Sequence, residues 1–363
     1  MTRLQQLRPG GRLPRLLAVA VAAVALTALA VVFAGSARGA AVHPGQNTDN
    51  RPSMTEAGGV EYLAYADTTR AGAVWVTQPN SAGGIAKGPW GPTGSAADGT
   101  FVGTGPTIAS VHGKGLVVAW TGLDGTIWVS ELMNGSFSCI SHPVTLKSGQ
   151  TPYLSTAGDD GSGSLYLIWV DARSSMHVTP LTVPAPGQCT AGDKITAGAT
   201  TNIAGETAWG GPAWVVSGYN TPAERFWLIW SGTNSGHSIN VAEYRAFNGV
   251  FARVGKVTEP HYTNTDIGAA YNTSTNKIAV SYCGTDNKVY YQEFTTSELG
   301  GQEIATGSTC AINLAVIGKG TSNPITYYSG GVGINYDYSH RLYDLGWASG
   351  NSTTIQISAL DIS

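Results

Sequence analysis

The chain has 363 residues and a mass of 37.6 kDa, and its composition excludes several classes of protein. Charged residues make up 12% of the chain, about half the usual fraction, which argues against a coiled coil or a helical solenoid. The hydrophobic fraction of 42%, with 10 Trp and 16 Tyr, argues against disorder. The 48 glycines, about 13% of the residues, are nearly double the average usage.

The basic residues are unevenly distributed along the chain. Five of the 20 Lys and Arg precede residue 40, so residues 41–363 carry 15 of them against 23 Asp and Glu, a formal charge of −8. A protein that binds nucleic acid needs a basic face, and this composition offers none. No nucleic acid is therefore expected as a partner.

The N-terminus predicts a signal peptide over residues 1–40. Arginines in a segment without acids precede an apolar run at residues 16–33. Small residues follow at Ala37, Gly39 and Ala41, as a signal peptidase requires. An uncleaved membrane anchor is the alternative, because a run of this length just spans a bilayer. We expect cleavage, a secreted extracellular protein, and no membrane association after the signal peptide is removed.

The four cysteines, Cys139, Cys189, Cys283 and Cys310, suit an oxidising compartment. Four cysteines permit three pairings, of which Cys139–Cys189 with Cys283–Cys310 closes the shortest loops. A metal site is disfavoured, because the chain has no C-x-x-C and no histidine pair nearby. Neither a metal nor any other cofactor is expected.

One pattern of strands recurs through residues 52–363, after a polar segment, residues 41–51, that is interpreted as a linker. Its clearest copy opens with Gly105-Pro106-Thr107-Ile108-Ala109, followed by a strand at 116–120, a turn at 121–125 and a strand at 126–132. An aromatic residue ends the second strand of each copy, at intervals of 49 to 61 residues. These residues are Tyr65, Trp120, Trp169, Trp230, Tyr282 and Tyr336.

The recurrence predicts the fold. Units of about 40–50 residues with several short strands are typical of propeller blades. No segment has three turns of helical apolar spacing, and β-branched and aromatic residues dominate the apolar runs. We therefore predict an all-β fold, a six-bladed β-propeller of four-stranded blades, whose termini meet in one closing blade near residues 354–358. A pair of β-sandwiches is the alternative fold.

The turn after the second strand carries an acid or an amide in every copy. The residues are Asp67, Asp124, Asp171, Asn234, Asp286 and Asp337. A catalytic acid is usually unique, whereas this residue recurs, so its side chain is expected to bond backbone N–H groups of the turn. A ring of carboxylates that binds a metal or a sugar is the alternative.

The third strand carries a second column of residues: Trp75, Trp128, His177, Asn240, Tyr290 and Tyr343. Rings at such positions fill the gaps between blades, or they stack on the flat C–H face of a sugar. Glu131, Glu243 and Glu293 stand at one place in three copies, where they would bond sugar hydroxyls. The predicted ligand-binding residues are therefore Trp75, Trp128, Glu131, Glu243, Tyr290 and Glu293, and the expected partner of this monomeric protein is a glycan or polysaccharide.

The clearest copy resembles secreted bacterial β-propellers of the sialidase-like and lectin-like kind. The resemblance lies in Gly-Pro-x-Ile-Ala from Gly105, the strand ending Trp-Thr-Gly-x-Asp-Gly from Trp120, and the return strand. It implies a propeller fold and a carbohydrate ligand, with either binding or cleavage as the activity. The sialidase Asp-box, Ser-x-Asp-x-Gly-x-Thr-Trp, has its Asp one position before Asp124, and the chain has no Phe-Arg-Ile-Pro stretch.

Three functions are consistent with these features. The recurring pairs of an aromatic residue and a carboxylate favour a lectin-like carbohydrate-binding protein. A sialidase-like exo-glycosidase needs two well-placed carboxyl groups; the candidates outside the repeat columns are Glu206, Glu224, Glu259 and Asp266, for which solvated loop positions are the simpler expectation. A propeller that binds other proteins and no small ligand is the third possibility.

Overall fold

The computed structural model of the protein consists of β-strands joined by turns and loops. It describes residues 41–360 apart from residues 49, 68–72, 81–84, 93–103, 112–114, 146–147, 149–150, 157–164, 186–187, 189–193, 218–224, 248–249, 273, 296–302, 311, 318–324, 338–340 and 350–353. Within these residues no helix is long and apolar enough to cross a membrane. The predicted signal peptide, residues 1–40, lies outside the described residues.

The structure contains 27 strands in the described residues. They are β1 (Ala41–Asn47), β2 (Ser53–Ala57), β3 (Val60–Asp67), β4 (Ala73–Pro79), β5 (Ile85–Trp90), β6 (Thr107–Val111), β7 (Gly115–Thr121), β8 (Ile127–Met133), β9 (Ser136–Ser141), β10 (Tyr153–Thr156), β11 (Leu165–Val170), β12 (Ser175–Thr182), β13 (Thr196–Ala197), β14 (Thr201–Thr207), β15 (Ala213–Ser217), β16 (Arg225–Ser231), β17 (Ser238–Phe247), β18 (Val250–Tyr262), β19 (Gly268–Asn272), β20 (Lys277–Cys283), β21 (Lys288–Thr295), β22 (Glu303–Thr309), β23 (Ile312–Ile317), β24 (Ile325–Gly330), β25 (Val332–Asp337), β26 (Leu342–Ala348) and β27 (Thr354–Leu360).

The strands form six blades arranged as a ring. The sheets are β2 to β5, β6 to β9, β10 to β14, β15 to β18, β19 to β22, and β25, β26, β27 with β1; in the third, β12 pairs with both β13 and β14. The innermost strands β2, β6, β10, β15, β19 and β25 contact one another in this order, and β25 contacts β2. The ring is therefore closed. The prediction of a six-bladed β-propeller is confirmed, and the alternative of two β-sandwiches is wrong.

The two ends of the chain meet in the sixth blade. Strand β1 pairs antiparallel with β27, with Ala41 opposite Ile357, and supplies the outermost strand of a blade whose other strands are C-terminal. The closing blade predicted from the sequence is thus present. Residues 41–51, interpreted as a linker, contain this strand instead. An outermost strand needs no continuous apolar run, so composition does not distinguish this segment from a linker.

The sixth copy of the repeat differs from its predicted alignment. Tyr336 lies in the innermost strand β25, and the second strand β26 contains Trp347, which is 2% exposed like its counterparts in the other blades. Gln356, opposite Trp347, occupies the third-strand position that was assigned to Tyr343. The inserted hairpin of β23 and β24 forms its own sheet and lengthens this unit, so a regular spacing places both aromatic residues one strand off.

The hydrophobic core lies between neighbouring blades. In β7, Val118 and Trp120 pack towards the first blade, whereas Val117 and Ala119 pack towards the third. Both faces of a blade are covered in this way, which is why second strands are almost continuously apolar. Each fully buried Val or Leu contributes about 1.5–3 kcal/mol of hydrophobic free energy, so these contacts hold the ring together.

The ring has two distinguishable ends. At the turn end lie the starts of the innermost strands and the turns between second and third strands, such as residues 122–125. At the hairpin end lie the connections from innermost to second strands, such as Gly58-Gly59. Strands of a blade are antiparallel, so each side chain can be assigned to one end by its place along its strand.

Arg51 closes the central cavity at the turn end. Its side chain is buried and extends inwards from the segment before the first blade. The guanidinium donates hydrogen bonds to the carbonyl oxygens of Ile267, before the fifth blade, and Pro152, before the third. It also lies 5.1 Å from the centroid of the Tyr153 ring. One side chain therefore connects three blades.

Asp266 supplies the opposite charge to Arg51 in this buried cluster. Its carboxylate accepts hydrogen bonds from the backbone N–H of Gly211, at 2.6 Å, and from the hydroxyl of Thr151. Burial raises the pKa of Asp266 above its ordinary value, and the charge of Arg51 opposes this rise. The sequence placed Asp266 among solvated loop carboxylates, and this expectation is wrong, because the residue lies at the centre of the ring.

The prediction of disulfides is confirmed at Cys283–Cys310, a bridge of the pairing with the shortest loops, with a Cα–Cα distance of 6.0 Å. It joins the end of β20 to the residue after β22 and so fixes the turn of the fifth blade to its outer strand. Cys139 is also disulfide-bonded, and its predicted partner Cys189 lies outside the described residues.

Candidate functional site

The recurring acid of the second-to-third turns stabilises the turn itself. Asp171 accepts hydrogen bonds from the backbone N–H groups of Arg173 and Ser175, at 2.8 and 2.9 Å. In the second blade Asp124 accepts one from Thr126 at 2.9 Å. Asn234 and Asp286 bind the N–H groups of Ser238 and Lys288 in the same manner. The turn-bonding interpretation of this column is confirmed at these four residues.

The aromatic side chain near the start of the third strand packs against a glycine in the turn that precedes this strand. A Cβ on Gly122 would lie 3.2 Å from Nε1 of Trp128, and one on Gly284 would overlap the ring of Tyr290. The glycine of the Trp-Thr-Gly-x-Asp-Gly motif is therefore required by the approach of this side chain. Trp128 and Tyr290 accordingly have a structural role at the turn end.

Two of the column rings stack on the buried aromatic residue of the second strand. Tyr290 lies 5.6 Å from Tyr282 with an interplanar angle of 21°, and His177 lies 4.2 Å from Trp169 at 20°. Burial differs along the column: His177 and Asn240 are buried, whereas Trp75, Trp128 and Tyr290 are only partly buried. These three residues therefore retain some accessible surface, although the indole Nε1 atoms of Trp75 and Trp128 are buried.

The aromatic residue and the carboxylate of each predicted pair lie on opposite faces of the strand that carries them. Trp128 and Glu131 are three residues apart in β8, and successive side chains alternate between the faces of a sheet. Trp128 packs on the cluster that faces the first blade, whereas Glu131 projects to the other face and is fully buried. Tyr290 and Glu293 are related in the same way. The structure does not bring either pair together in one pocket.

The other two predicted glutamates are held in ion pairs. Glu243 lies 3.7 Å from Nε of Arg225 and 3.4 Å from Nε of Arg245. Glu293 lies 2.7 Å from Nζ of Lys277 and accepts a hydrogen bond from the hydroxyl of Tyr343 at 3.3 Å. Both carboxylates lie at the hairpin-end half of their strands, away from the accessible rings.

A shallow cleft of about 410 Å³ opens between the fourth and fifth blades at the turn end. It is lined by Ser235, Gly236, His237, Tyr262, Asn264 and Thr285. Tyr262, the last residue of β18, is 48% exposed, and its ring rests on Gly236, where a Cβ would lie 2.8 Å from the ring. We call this depression the Tyr262 cleft.

The floor of the Tyr262 cleft is preorganised by its turn. His237 has a φ of 50°, in the left-handed region, and donates its backbone N–H to the carbonyl of Asn234. Its imidazole stacks on Trp209, 4.3 Å away, and Nδ1 lies 3.1 Å from the carbonyl oxygen of Gly232. One ring face and one nitrogen are thus constrained before any ligand binds.

Of the predicted site residues, Tyr290 belongs to the same interface as this cleft. It packs on the cluster between the fourth and fifth blades, and its turn contributes Thr285 to the lining. Tyr262 was missed, because it ends the fourth strand and belongs to no repeat column. The pattern Tyr262-Thr263-Asn264, an aromatic residue among polar ones at the end of a long strand, was the available signal.

The central cavity, about 450 Å³, is the place for the single site of an exo-glycosidase. Among the described residues that line it, Glu56 is the only carboxylate and Arg51 the only arginine. Hydrolysis by the usual route requires two carboxyl groups about 5–10 Å apart. The described lining therefore does not assemble this machinery.

The non-repeated carboxylates are also dispersed. Glu206 binds Arg253 and lies 2.6 Å from Nζ of Lys256, between the third and fourth blades. Glu259 is buried in β18. Glu224 lies outside the described residues. Because these acids lie on separate elements, the hydrolytic alternative gains no support from them.

No protein-family model and no curated protein matches the chain. Solved structures do match its fold. The SapL1 lectin, in complex with α-methyl fucoside, is 15% identical, with a TM-score of 0.55 over 87% of this chain and 94% of that chain. A protein of unknown function from Dyadobacter fermentans DSM 18053 is 11% identical, with a TM-score of 0.60 over 91% and 100%.

A sialidase from Trypanosoma rangeli is similar as well. It is 10% identical, with a TM-score of 0.51 over 87% of this chain and 55% of that chain. The expected resemblance to sialidase-like and lectin-like propellers is thereby confirmed at the level of the fold.

The Asp171 turn predicts a pH dependence of stability. Burial favours the neutral acid, but hydrogen bonds from His177, Ser175 and Arg173 outweigh it and hold the pKa of Asp171 below its ordinary value. The ionised Asp171 stabilises the folded protein, and this stabilisation is complete above the pKa of the group in the unfolded chain, about 4. It is lost as the pH falls through the lower pKa that Asp171 has in the folded protein.

We expect Asp171→Asn, which keeps an oxygen acceptor as Asn234 does, to be slightly less stable than the natural protein at pH 7. The difference should shrink as the pH falls below about 4. Urea unfolding at several pH values measures it. A difference that stays constant down to pH 2 would contradict the role of the charge.

Proposed function

We propose that this protein is an exported, lectin-like propeller that binds glycans as a monomer in clefts between blades at the turn end. The Tyr262 cleft carries the proposal. It presents an accessible aromatic ring beside hydrogen-bonding groups that are already oriented by the turn of the fourth blade.

The chemistry of the Tyr262 cleft suits a sugar. A pyranose ring has a flat C–H face that packs on an aromatic ring, while its hydroxyls need donors and acceptors around the edge. His237, Asn264, Ser235 and Thr285 supply both kinds of group next to Tyr262. No acid, Lys or Arg is among the described lining residues, so the site favours an uncharged sugar.

Repetition adds a second argument. Trp75, Trp128 and Tyr290 occupy equivalent third-strand positions, each partly exposed at the turn end. Several weak sites on one rigid ring increase the avidity for a polysaccharide or a branched glycan without any new contact. We therefore assign these three rings to further subsites and leave Glu131, Glu243 and Glu293 out of them.

Export is part of the proposal. The arginine-rich and apolar N-terminus has the order of a signal peptide. The disulfide Cys283–Cys310 suits an oxidising compartment. The SapL1 lectin, which shares the fold, is described in complex with α-methyl fucoside. Fucosides are accordingly the first ligands to test.

Tyr262→Ala is expected to weaken binding to the best ligand of a glycan array by about tenfold, since one aromatic stacking contact is worth about 1–1.5 kcal/mol. Tyr262→Phe keeps the ring and should stay within a few fold of the natural protein. Titration calorimetry with the purified exported chain measures affinity and stoichiometry together.

Val254→Ala is the matched control, because Val254 is 53% exposed on the same strand and lies outside the cleft. Its affinity should be unchanged. Equal binding by Tyr262→Ala and the natural protein would remove the cleft from the proposal. Hydrolysis of a bound glycan would replace binding by the glycosidase alternative, and no bound glycan at all would favour a propeller that binds proteins.

A further inference from the structure

Two arginines lie directly opposite each other at the hairpin end of the fourth blade. Arg225 begins β16 and pairs with Arg245 near the end of β17. Like charges at opposed positions of an antiparallel pair destabilise a sheet. The pair is therefore an unfavourable choice for folding alone.

Glu243 holds the two arginines in place with one of its oxygens. Oε1 lies 3.7 Å from Nε of Arg225 and 3.4 Å from Nε of Arg245. Both contacts use the Nε edge, and no other described residue forms a hydrogen bond or ion pair with the terminal nitrogens of either guanidinium group. The carboxylate is 13% exposed and the two arginine side chains are 40% and 45% exposed. The cluster of Arg225, Arg245 and Glu243, which we call the arginine pair, carries a net charge of +1.

Among the described residues, the fifth blade adds no charge on this side. The side chains of β20 and β21 that pack against the fourth blade include Ile278, Val280 and Phe294. The charged residues Lys277 and Glu293 occupy the alternate positions and pair with each other. Within the described residues, Glu243 is thus the only acid bound to the two arginines.

We propose that the arginine pair binds an oxyanion, a carboxylate or sulfate group of an acidic polysaccharide. Guanidinium groups donate paired, charge-assisted hydrogen bonds in a planar fork that matches such anions. Glu243 positions the arginines and does not contact the ligand. A bound anion also relieves the repulsion between the two cations, which links binding to the local stability of the strands.

The arginine pair is distinct from the Tyr262 cleft. Tyr262 and His237 lie at the turn end of the β16–β17–β18 sheet, whereas the arginines lie about six residues away along β16, on the order of 20 Å. This proposal therefore goes beyond the proposed function and does not depend on it. The chain from residue 41 has a formal charge of −8, so the protein as a whole does not attract polyanions. The proposed binding therefore depends on the local contacts of the arginine pair.

The test compares dextran sulfate, polygalacturonate and neutral dextran as probes. We expect the exported protein to bind at least one anionic polymer and not dextran. Arg225→Gln and Arg245→Gln should each weaken that binding by about tenfold or more, as for the loss of a charge-assisted hydrogen bond. Sulfate and carboxylate ligands are distinguished by which polymer binds more tightly.

Arg173→Gln is the matched control, because Arg173 is an exposed arginine of the third-blade turn. It should bind the anionic polymer as the natural protein does. Arg225→Lys keeps the charge without the planar fork and should fall between Arg225→Gln and the natural protein. The Gln variants remove repulsion, so their thermal midpoints should not fall.

Three results would overturn the inference: no binding to either anionic polymer, equal binding by the natural protein and both Gln variants, or an equal loss in Arg173→Gln. Tyr262→Ala should retain anionic-polymer binding. Loss of glycan-array binding in Tyr262→Ala alone, or of polyanion binding in Arg225→Gln alone, therefore separates the two proposals.

Discussion

Replacing Arg51 by methionine is expected to lower the free energy of unfolding by about 3–5 kcal/mol, the usual cost of removing one partner of a buried charge cluster. The change leaves Asp266 buried without its positive partner. It also removes the donor that binds the carbonyl oxygens of Ile267 and Pro152. Because these groups belong to three blades, the loss should spread through the ring. Chemical denaturation followed by tryptophan fluorescence measures it.

Two variants make this experiment specific. Arg173→Met changes an exposed arginine and should stay within about 0.5 kcal/mol of the natural protein. Arg51→Met combined with Asp266→Asn should recover part of the loss, because the unpaired charge is gone. If Arg51→Met unfolds at the same denaturant concentration as the natural protein, Arg51 does not hold the turn end together.

Gly333→Ala is expected to cost about 3 kcal/mol or more, at the upper end of the effect of overpacking. A Cβ on Gly333, in the innermost strand β25, would overlap the carbonyl oxygen of Pro52 at the start of the first blade. The obstacle is backbone in the strand that closes the ring, so it cannot move aside as a side chain would. The change therefore forces the first and sixth blades apart.

Gly255→Ala is the matched control, since Gly255 also lies in a strand, β18, and nothing lies within 4 Å of its Cβ position. Alanine there should be neutral or slightly stabilising, because it restricts the unfolded chain. The free energies of unfolding of the two variants, measured side by side, give the contrast. A Gly333→Ala protein as stable as Gly255→Ala would mean that the innermost strands tolerate separation.

The aromatic residues of the second strands show what sequence periodicity predicts and where it fails. The spacing of Trp120, Trp169 and Tyr282 identified second strands correctly, because a buried strand between two blades needs a large apolar side chain at a constant place. The same reasoning failed at Tyr336, where the hairpin β23–β24 shifts the register. An insertion leaves local composition unchanged, so only strand pairing reveals it.

The predicted binding residues show a second limit. Trp128 and Glu131 recur together along the chain, and the recurrence suggested one pocket. Alternation along β8 directs them to different interfaces, so their recurrence reflects two separate packing requirements. By contrast, Tyr262 has no repeated counterpart, and it forms a cleft only because Thr285 of the next blade lies beside it.

The sequence by itself determined the all-β class and the repeated units, favoured the turn-bonding acids, and identified the pairing with Cys283–Cys310 as the one of three with the shortest loops. These features depend on local patterns: alternation, turn chemistry and short loop closure. The tertiary structure alone decided that Ala41–Asn47 completes the sixth blade, that Arg51 closes the turn end, and that Arg225 and Arg245 lie opposite each other. Each of these is a contact between segments distant in sequence, and its geometry depends on how the ring closes.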